Sequence, residues 1–223
     1  MQVLYFDNHI VVVKKAAGIP TQSMEGNSLE NEARAWAKKQ FNKQGDVFLH
    51  ALHRLDKPVS GIVLLAKTSK ALERLHESFR NKKMKKTYIA LVEGVIPEDS
   101  GVLENYLMQG EFRSFPSTEC DPKSKFCRLT YKVLERTPFS SLLEIDLETG
   151  RYHQIRSQFS LFGHPVVGDL KYGARYVSSR QGHIALHHQR MELPHPITKE
   201  TLKFEVSPSR DWQEWVQDLS LFF

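Results

Sequence analysis

Residues 53–67 read HRLDKPVSGIVLLAK, a polar loop followed at once by a run of apolar side chains. An uninterrupted apolar run of this length is typical of a buried β-strand. Pro58 and Gly61 favour an irregular backbone ahead of that strand, and such a loop on a rigid scaffold can present a side chain for chemistry. The segment therefore predicts a buried strand with a functional loop at its start.

Asp56 is the chemically interesting member of this loop. It lies between Arg54 and Lys57, and nearby cations favour the charged form of a carboxyl group. An ionised carboxylate can act as a nucleophile or as a base. Capping a turn is the more common task of an Asp in such a setting, so charge and spacing alone favour the structural interpretation.

Hydrophobic periodicity along the rest of the chain predicts more strands than helices. Residues 97–125, rich in Pro, Gly, Ser and charge, are predicted to be mostly loop, with a short hairpin near 102–106. Because the strands do not alternate regularly with the helices, the predicted class is α+β, with a mixed, largely antiparallel central sheet and flanking helices. The other predicted strands are 3–6, 10–14, 87–95, 126–135, 141–147, 184–193 and 201–206, and the predicted helices are 29–41, 69–83, 154–162 and 212–219.

Length and composition are those of an ordinary globular protein, with 223 residues, 40% hydrophobic and 26% charged. We expect one domain over residues 1–223. No segment reads as a membrane span or a signal peptide. Cys120 and Cys127 are too few for a disulfide scaffold and match no zinc spacing, so a reducing cytoplasm is the expected location.

Familiar cofactor motifs are missing from the sequence. There is no GxxxxGK[ST] or GxGxxG run, so no nucleotide cofactor is expected. His183 and His187 are four residues apart, but their segment alternates like a strand and no carboxylate or Cys completes a site, so no metal is expected. What remains is carboxylate chemistry without a cofactor.

Positive charge is concentrated between residues 80 and 86, in a chain whose net charge is +5. Such a run contacts phosphates without reading sequence, although lysines also suit a solvated helix end. The cluster therefore permits nucleic-acid binding without requiring it. Its members are Arg80, Lys82, Lys83, Lys85 and Lys86.

Three further segments carry polar or aromatic groups in unusual density. Tyr88, in Lys86-Thr87-Tyr88, could stack on a base, although a strand Tyr is more often a packing residue. Arg156 ends GRYHQIR, residues 150–156, and could reach a carboxylate through two parallel bonds. GHPVVGDLKYG, residues 163–173, is a tight loop whose glycines suggest special backbone angles.

In this order, the segments resemble the motifs of the RluA-type pseudouridine synthase family. HRLDKPVSG is similar to the family's His-Arg-Leu-Asp-x-x-(Thr/Ser)-Ser-Gly, GRYHQIR to its Gly-Arg-Thr-His-Gln-Ile-Arg, and Lys86-Thr87-Tyr88 to its Lys-x-Tyr. The segments GHPVVGDLKYG and LHHQRMELPHP also match in kind and order, and the resemblance runs from about residue 7 to residue 204. Ala16, Val59 and Tyr152 depart from the usual residues, and Tyr152 could change which RNA fits.

The resemblance implies a short-form enzyme, without an N-terminal RNA-binding appendage, that isomerises uridine to pseudouridine in ribosomal or transfer RNA. It implies a pseudouridine synthase catalytic domain with a central cleft, base flipping of the target uridine, no cofactor, a structured RNA stem-loop as partner, and no membrane. A monomer is the expected state. The implied catalytic residues are Asp56, Tyr88 and Arg156, with Arg156 paired to Asp56 and Tyr88 stacked on the uracil; the implied substrate-binding residues are Arg54, His53, Ile155, Arg151 and Lys86.

Two other classes of function stay open at this point. The basic cluster alone also fits an RNA-binding or RNA-remodelling protein that performs no chemistry. Two carboxylates, Asp56 and Asp169, could instead serve a glycosidase-like hydrolase.

Overall fold

A computed structural model describes residues 1–23, 26–176, 182–209, 212 and 215. The chain divides into two compact units. The first unit consists of Met1–Lys85 and His188–Ser207, and the second of Lys86–His187 and the described residues beyond 207. The prediction of one domain over the whole chain stays a prediction.

The secondary structure confirms the α+β class, with strands paired largely in antiparallel fashion. The helices are α1 (Leu29–Gln40), α2 (Ser69–Arg80) and α3 (Gln154–Leu161), with a 3₁₀ turn at Leu170–Tyr172. The strands are β1 (Gln2–Phe6), β2 (Ile10–Lys15), β3 (His50–Ala51), β4 (Ser60–Ala66), β5 (Lys85–Glu93), β6 (Ser100–Gln109), β7 (Ser114–Ser117), β8 (Ser124–Arg136), β9 (Ser140–Leu147), β10 (Leu186–Pro194) and β11 (Thr201–Glu205).

In the first unit, β4 is the buried strand that the apolar run predicts. It pairs antiparallel with β2, with Val12 opposite Leu64, and its other neighbours are β10 and the short β3. Side chains from β2, β4, α2 and β10 pack together into one apolar cluster. The loop that carries Asp56 is therefore attached to the best-buried strand of this unit.

Helices α1 and α2 begin where the sequence offers a hydroxyl cap. The Ser28 side chain accepts a hydrogen bond from the Asn31 N–H, and the Thr68 side chain accepts one from the Ala71 N–H. Such caps satisfy N–H groups that have no partner within the helix. Helix α2 ends at Arg80, three residues before the predicted end, and Lys82 takes a left-handed φ of 53°.

In the second unit, the strands follow the order β5-β9-β8-β6-β7, and neighbouring strands in this order pair antiparallel. The prediction that residues 97–125 are mostly loop was wrong, because β6 and β7 lie within this range. Strand β6 has one face open to solvent, so polar residues such as Glu104 alternate with half-buried ones. Because of this exposed face, the sequence of β6 looks like that of a polar loop.

The remaining predicted elements are found within a few residues of their expected bounds. The closing helix predicted over 212–219 lies outside the described residues, apart from Trp212 and Trp215. Along the described parts of the chain, no helix has the length and apolar character needed to cross a membrane.

Asp7 joins the two chain segments of the first unit. Its Oδ1 accepts hydrogen bonds from the His9 and Ile10 N–H groups at 2.6 and 2.8 Å. Its Oδ2 lies 2.9 Å from the Tyr5 hydroxyl and 2.8 Å from Nε2 of His195. Burial pushes the pKa of Asp7 upward, but these hydrogen bonds favour the carboxylate and leave the pKa below its usual value of 3.8.

We expect the Asp7 contacts to make the first unit acid-sensitive. A carboxyl group whose folded pKa is lowered adds stability that is complete above pH 3.8 and lost as the pH falls through the folded value. Asp7→Asn should therefore flatten the fall in unfolding free energy between about pH 5 and pH 2, measured by urea unfolding. The control Asp46→Asn, at a fully exposed carboxylate, should keep the wild-type slope. Equal slopes for wild type and Asp7→Asn would contradict this role.

Gly61, the last residue of HRLDKPVSG, has no room for a side chain. Its φ is +123°, and a Cβ added there would lie 2.3 Å from the backbone oxygen of His188. We expect Gly61→Ala to lower the free energy of unfolding by about 2–3 kcal/mol, from backbone strain and forced displacement of β10. Gly163→Ala is the control, because its φ is +87° but nothing lies within 4 Å. Equal losses in denaturant unfolding for the two variants would refute the steric explanation.

Candidate active site

The loop between β3 and β4 holds Asp56 at its centre. Leu55 and Val59 are buried and anchor the loop on either side. Asp56 is half-buried and Arg54 is exposed. The apolar anchors therefore hold the loop, while Arg54 and Lys57 are exposed and Asp56 is partly accessible.

The backbone on both sides of Asp56 is fixed by hydrogen bonds. Thr21 Oγ1 accepts from the Leu55 N–H at 3.0 Å and donates to the Leu55 oxygen at 2.8 Å. On the other side, the Gly18 N–H donates to the Lys57 oxygen at 2.8 Å. Asp56 thus lies between two clamped peptide groups, an arrangement that limits the directions its carboxylate can take.

Lys15 adds a buried positive charge to this part of the first unit. Its ammonium group donates to three backbone oxygens, those of Ala16, Ile19 and Lys57, at 3.0, 2.7 and 3.3 Å. Burial lowers the pKa of Lys15 to about 8, and the charge of Asp56 opposes that shift. Lys15 and Asp56 are therefore electrostatically linked.

His53, at the start of the same loop, contacts β4 and β10. The Leu64 N–H donates to its Nε2 at 3.3 Å, and its ring meets the His188 ring edge-on at a centroid distance of 5.5 Å. Nδ1 of His188 in turn bonds to the Ile62 oxygen at 2.7 Å. These contacts fit a residue that orients the loop.

In the second unit, Tyr88 and Lys86 occupy alternate positions of β5 and are both buried. Lys86 therefore differs from the rest of the basic run, because every residue of β5 after Lys85 is buried, and its predicted part in substrate binding stays a prediction. Burial lowers the pKa of the Lys86 ammonium to about 8. The exposed part of the basic run is Arg80, Lys82, Lys83 and Lys85.

Arg156, in the first turn of α3, forms a forked ion pair with Asp169. Nε donates to Oδ2 at 2.6 Å and Nη2 donates to Oδ1 at 2.9 Å, and both side chains are at most 5% exposed. The guanidinium also lies 5.1 Å from the centre of the Tyr172 ring. Asp169 therefore fixes the plane of the guanidinium. The predicted pairing of Arg156 with Asp56 joins residues of the two units and stays a prediction.

The start of α3 is built around an unusual residue. His153 takes a left-handed φ of 53° at the N-cap, its ring stacks on Tyr152 at a centroid distance of 3.9 Å, and Nδ1 lies 2.9 Å from the Tyr172 hydroxyl. A non-glycine residue in this region is strained and persists only where its surroundings hold it. Tyr152, which departs from the family motif, is thus part of the packing that holds this turn.

The other residues assigned to substrate binding here differ in exposure. Ile155 is buried beside Arg156. Arg151 is exposed, and its Nε donates to the backbone oxygen of Phe126 at 3.2 Å. Ile155 can therefore shape a pocket wall, whereas Arg151 is accessible to a polyanion.

Four residues contact the predicted site residues or their loop within the same unit but were not predicted to do so: Lys15 and Thr21 in the first unit, and Asp169 and Tyr172 in the second. Asp169 and Tyr172 belong to GHPVVGDLKYG, which was noted for its glycines and its family resemblance, and that motif was the available signal. Within the described residues, no group of three or more His, Cys, Asp or Glu side chains is placed to hold a metal ion.

The chain matches a family model for RNA pseudouridylate synthase over residues 9–161. It is 32% identical to a ribosomal large subunit pseudouridine synthase C of Rickettsia typhi, over 92% of this chain and 67% of the relative. It is 31% identical to a dual-specificity RNA pseudouridine synthase RluA of Pasteurella multocida, over 94% of each chain. Similarity therefore extends over nearly the whole sequence.

Solved structures of RNA pseudouridylate synthase domains have a fold similar to that of this chain. The structure of human RNA pseudouridylate synthase domain containing 4 superposes with a TM-score of 0.82 and 22% identity, over 98% of this chain and 93% of that one. A second human protein, RNA pseudouridylate synthase domain containing 1, gives a TM-score of 0.75, also at 22% identity, over 98% of this chain and 94% of that one.

Proposed function

Since the chain belongs to the RluA-type RNA pseudouridine synthase family and is an enzyme of that kind, we propose that it modifies ribosomal RNA, with Asp56 as its catalytic carboxylate. The observation that carries the proposal is the family match over residues 9–161, which includes Asp56, Tyr88 and Arg156. The name of the Rickettsia typhi relative supports ribosomal RNA. Transfer RNA is the second candidate substrate.

The reaction moves the uracil ring without consuming anything. The bond from N1 to the sugar breaks, the ring turns, and C5 forms the new bond to the same sugar carbon; C5 releases a proton and N1 gains one. Asp56 either attacks the sugar or the uracil, or removes a proton from the sugar. Each route needs a charged carboxylate at a fixed position, and the clamped backbone around Asp56 supports this.

The proposed roles of Arg156 and Tyr88 complement that of Asp56. The target uridine leaves its stack to enter the enzyme. Arg156 pairs with Asp56, and Asp169 keeps the guanidinium in the required plane. Tyr88 stacks on the extruded uracil, and Ile155 forms the opposing apolar surface. Arg54 contacts the RNA beside the extruded base.

A hydrolase with Asp56 and Asp169 as its two carboxylates is disfavoured by the forked pair with Arg156. Both oxygens of Asp169 accept hydrogen bonds from one buried guanidinium, so this carboxylate is already committed to a structural pair and is poorly placed to exchange a proton with a substrate. Ribosomal RNA labelled with tritium at C5 of uridine tests the choice. For a pseudouridine synthase, we expect tritium to be released to water while the base stays in the RNA chain. Release of free uracil would support the hydrolase, and absence of both products would contradict the proposed activity.

The exposed basic residues near the end of α2 are proposed to contact RNA phosphates. Lys82→Gln with Lys83→Gln should weaken RNA binding and lower the slope of log K against log salt by roughly 0.7–0.9 for each phosphate that is no longer neutralised. The matched control is Lys199→Gln with Lys203→Gln, which removes two exposed charges from the β10–β11 hairpin. Filter binding at several salt concentrations measures both slopes. Equal slopes for the two double variants would argue against this RNA-binding surface.

A further inference from the structure

Lys15 is fully buried, which is rare for a lysine. Its side chain is 0% exposed at the end of β2. An ammonium group has three donors, and here the three point at three backbone oxygens, on Ala16, Ile19 and Lys57. The charge is therefore fully hydrogen-bonded to the backbone inside the first unit.

The third of these bonds connects Lys15 to the proposed catalytic loop. The Lys57 oxygen, which also accepts from the Gly18 N–H, belongs to the residue that follows Asp56. Burying a charge costs free energy, which the hydrogen bonds of the ammonium group have to offset. Stability alone is therefore a weak reason for an ammonium at this position.

We propose that Lys15 is a positioning residue for Asp56: its ammonium holds the loop in the reactive arrangement, and loss of its proton releases the loop. The inference rests on the proposed role of Asp56. A neutral amine keeps only two N–H donors, and the longest of the three bonds, 3.3 Å to the Lys57 oxygen, is the one expected to break. The positive charge that interacts with Asp56 disappears in the same step.

The surroundings of Lys15 contain few other groups that could produce such a pH dependence. Strand β4 and the turn over residues 16–20 carry no ionisable side chain. The neighbouring residue on β2, Lys14, bonds instead to the Ser207 oxygen. Burial lowers the pKa of Lys15 to about 8, and Asp56 is the charge that acts against this shift. The ionisable residues of the adjoining loop are His53, Arg54, Asp56 and Lys57.

The test compares wild type with Lys15→Met in single-turnover reactions at saturating enzyme. The measured quantity is the ratio of their rate constants at each pH, because titration of the uracil and of all other shared groups cancels. We expect wild type to be about 10- to 100-fold faster at pH 6.5, since small displacements of a catalytic group have effects of this size. The ratio should fall toward 1 as the pH rises through the pKa of Lys15, while RNA affinity stays equal. Lys15→Arg, which stays charged, should keep its advantage over Lys15→Met at high pH.

Three outcomes separate this role from the proposed function. A ratio that is the same at pH 6.5 and at pH 9.5, whatever its size, would overturn the role of Lys15 alone. A loss that appears in RNA affinity and not in the rate constant would do the same. Absence of pseudouridine from wild-type reactions at every pH would overturn the proposed function, and this role with it.

A second measurement needs no substitution at Lys15. Lysines labelled with ¹³C at the ε carbon report their own titration by NMR. We expect signals that titrate near pH 8, apart from the bulk of exposed lysines, for Lys15 and Lys86. Asp56→Asn should move one of them to lower pH, because the charge that raises the pKa of Lys15 is gone. Titration of every lysine above pH 10, or an unchanged pair of signals in Asp56→Asn, would refute the coupling.

Discussion

Asp56→Asn is expected to bind RNA as wild type does and to form pseudouridine at least about 10³-fold more slowly, as found when an essential catalytic side chain is removed. Asparagine has nearly the same shape but lacks the charge needed to attack or to accept a proton. The backbone bonds around position 56, from Thr21 and Gly18, involve neighbouring residues and should persist. Single-turnover tritium release and filter binding on the same preparation measure the two properties.

Two controls keep this result interpretable. Asp46→Asn, at an exposed carboxylate of the same unit, should retain wild-type rate and affinity. Asp56→Ala guards against deamidation of the introduced Asn, which would regenerate a little active enzyme. If Asp56→Ala retained more than about a tenth of the wild-type rate, a loss of under 1.4 kcal/mol in transition-state stabilisation, Asp56 would not be the catalytic carboxylate.

The second large effect is on stability. Asp169→Asn is expected to lower the free energy of unfolding by about 3–5 kcal/mol, because it removes the charge of the carboxylate that accepts two bonds from a buried guanidinium. In the wild-type protein, both carboxylate oxygens of Asp169 accept hydrogen bonds from Arg156, and both side chains are almost fully buried. An Asn side chain offers one acceptor and turns its NH₂ group toward another donor. Urea unfolding followed by circular dichroism gives the difference.

The control for this variant is an ion pair of the same unit at the surface. Asp99 lies 2.8 Å from Nη2 of Arg136 but has a 90% exposed side chain, so Asp99→Asn should cost about 0–1 kcal/mol. The double variant Arg156→Met with Asp169→Leu should recover most of the missing stability, since no buried charge remains, yet stay inactive. A loss below about 1 kcal/mol for Asp169→Asn would show that the pair contributes little to the fold.

Elements with a one-sided or fully apolar pattern could be predicted from the sequence. Strand β4 is an uninterrupted apolar run, and α1 starts at a hydroxyl cap, so local chemistry defines both. Strand β6 was recognised only as a short hairpin near 102–106, because one of its faces is open to solvent and its partners, β7 and β8, are needed to identify its full length. Lys86 was grouped with the basic run for a similar reason, since charge along the chain does not show which strand residues are buried.

For the candidate site, the sequence predicted the residue types better than their partners. The position of Asp56 in a fixed loop before a buried strand is confirmed. The ion pair of Arg156 with Asp169 was not foreseen, because Asp169 is 13 residues away across the end of α3 and this pairing depends on the turn at Leu170–Tyr172. Lys15 was not singled out from the sequence, because its importance depends on burial, which no local pattern indicated.

The most direct test of the central claim is a map of ribosomal RNA pseudouridines in cells that lack the gene and carry a plasmid copy of wild type or Asp56→Asn. We predict that one or a few uridines lose the modification in the deletion strain, that wild type restores them, and that Asp56→Asn does not, although both proteins accumulate equally. An unchanged map in the deletion strain, or restoration by Asp56→Asn, would contradict the account.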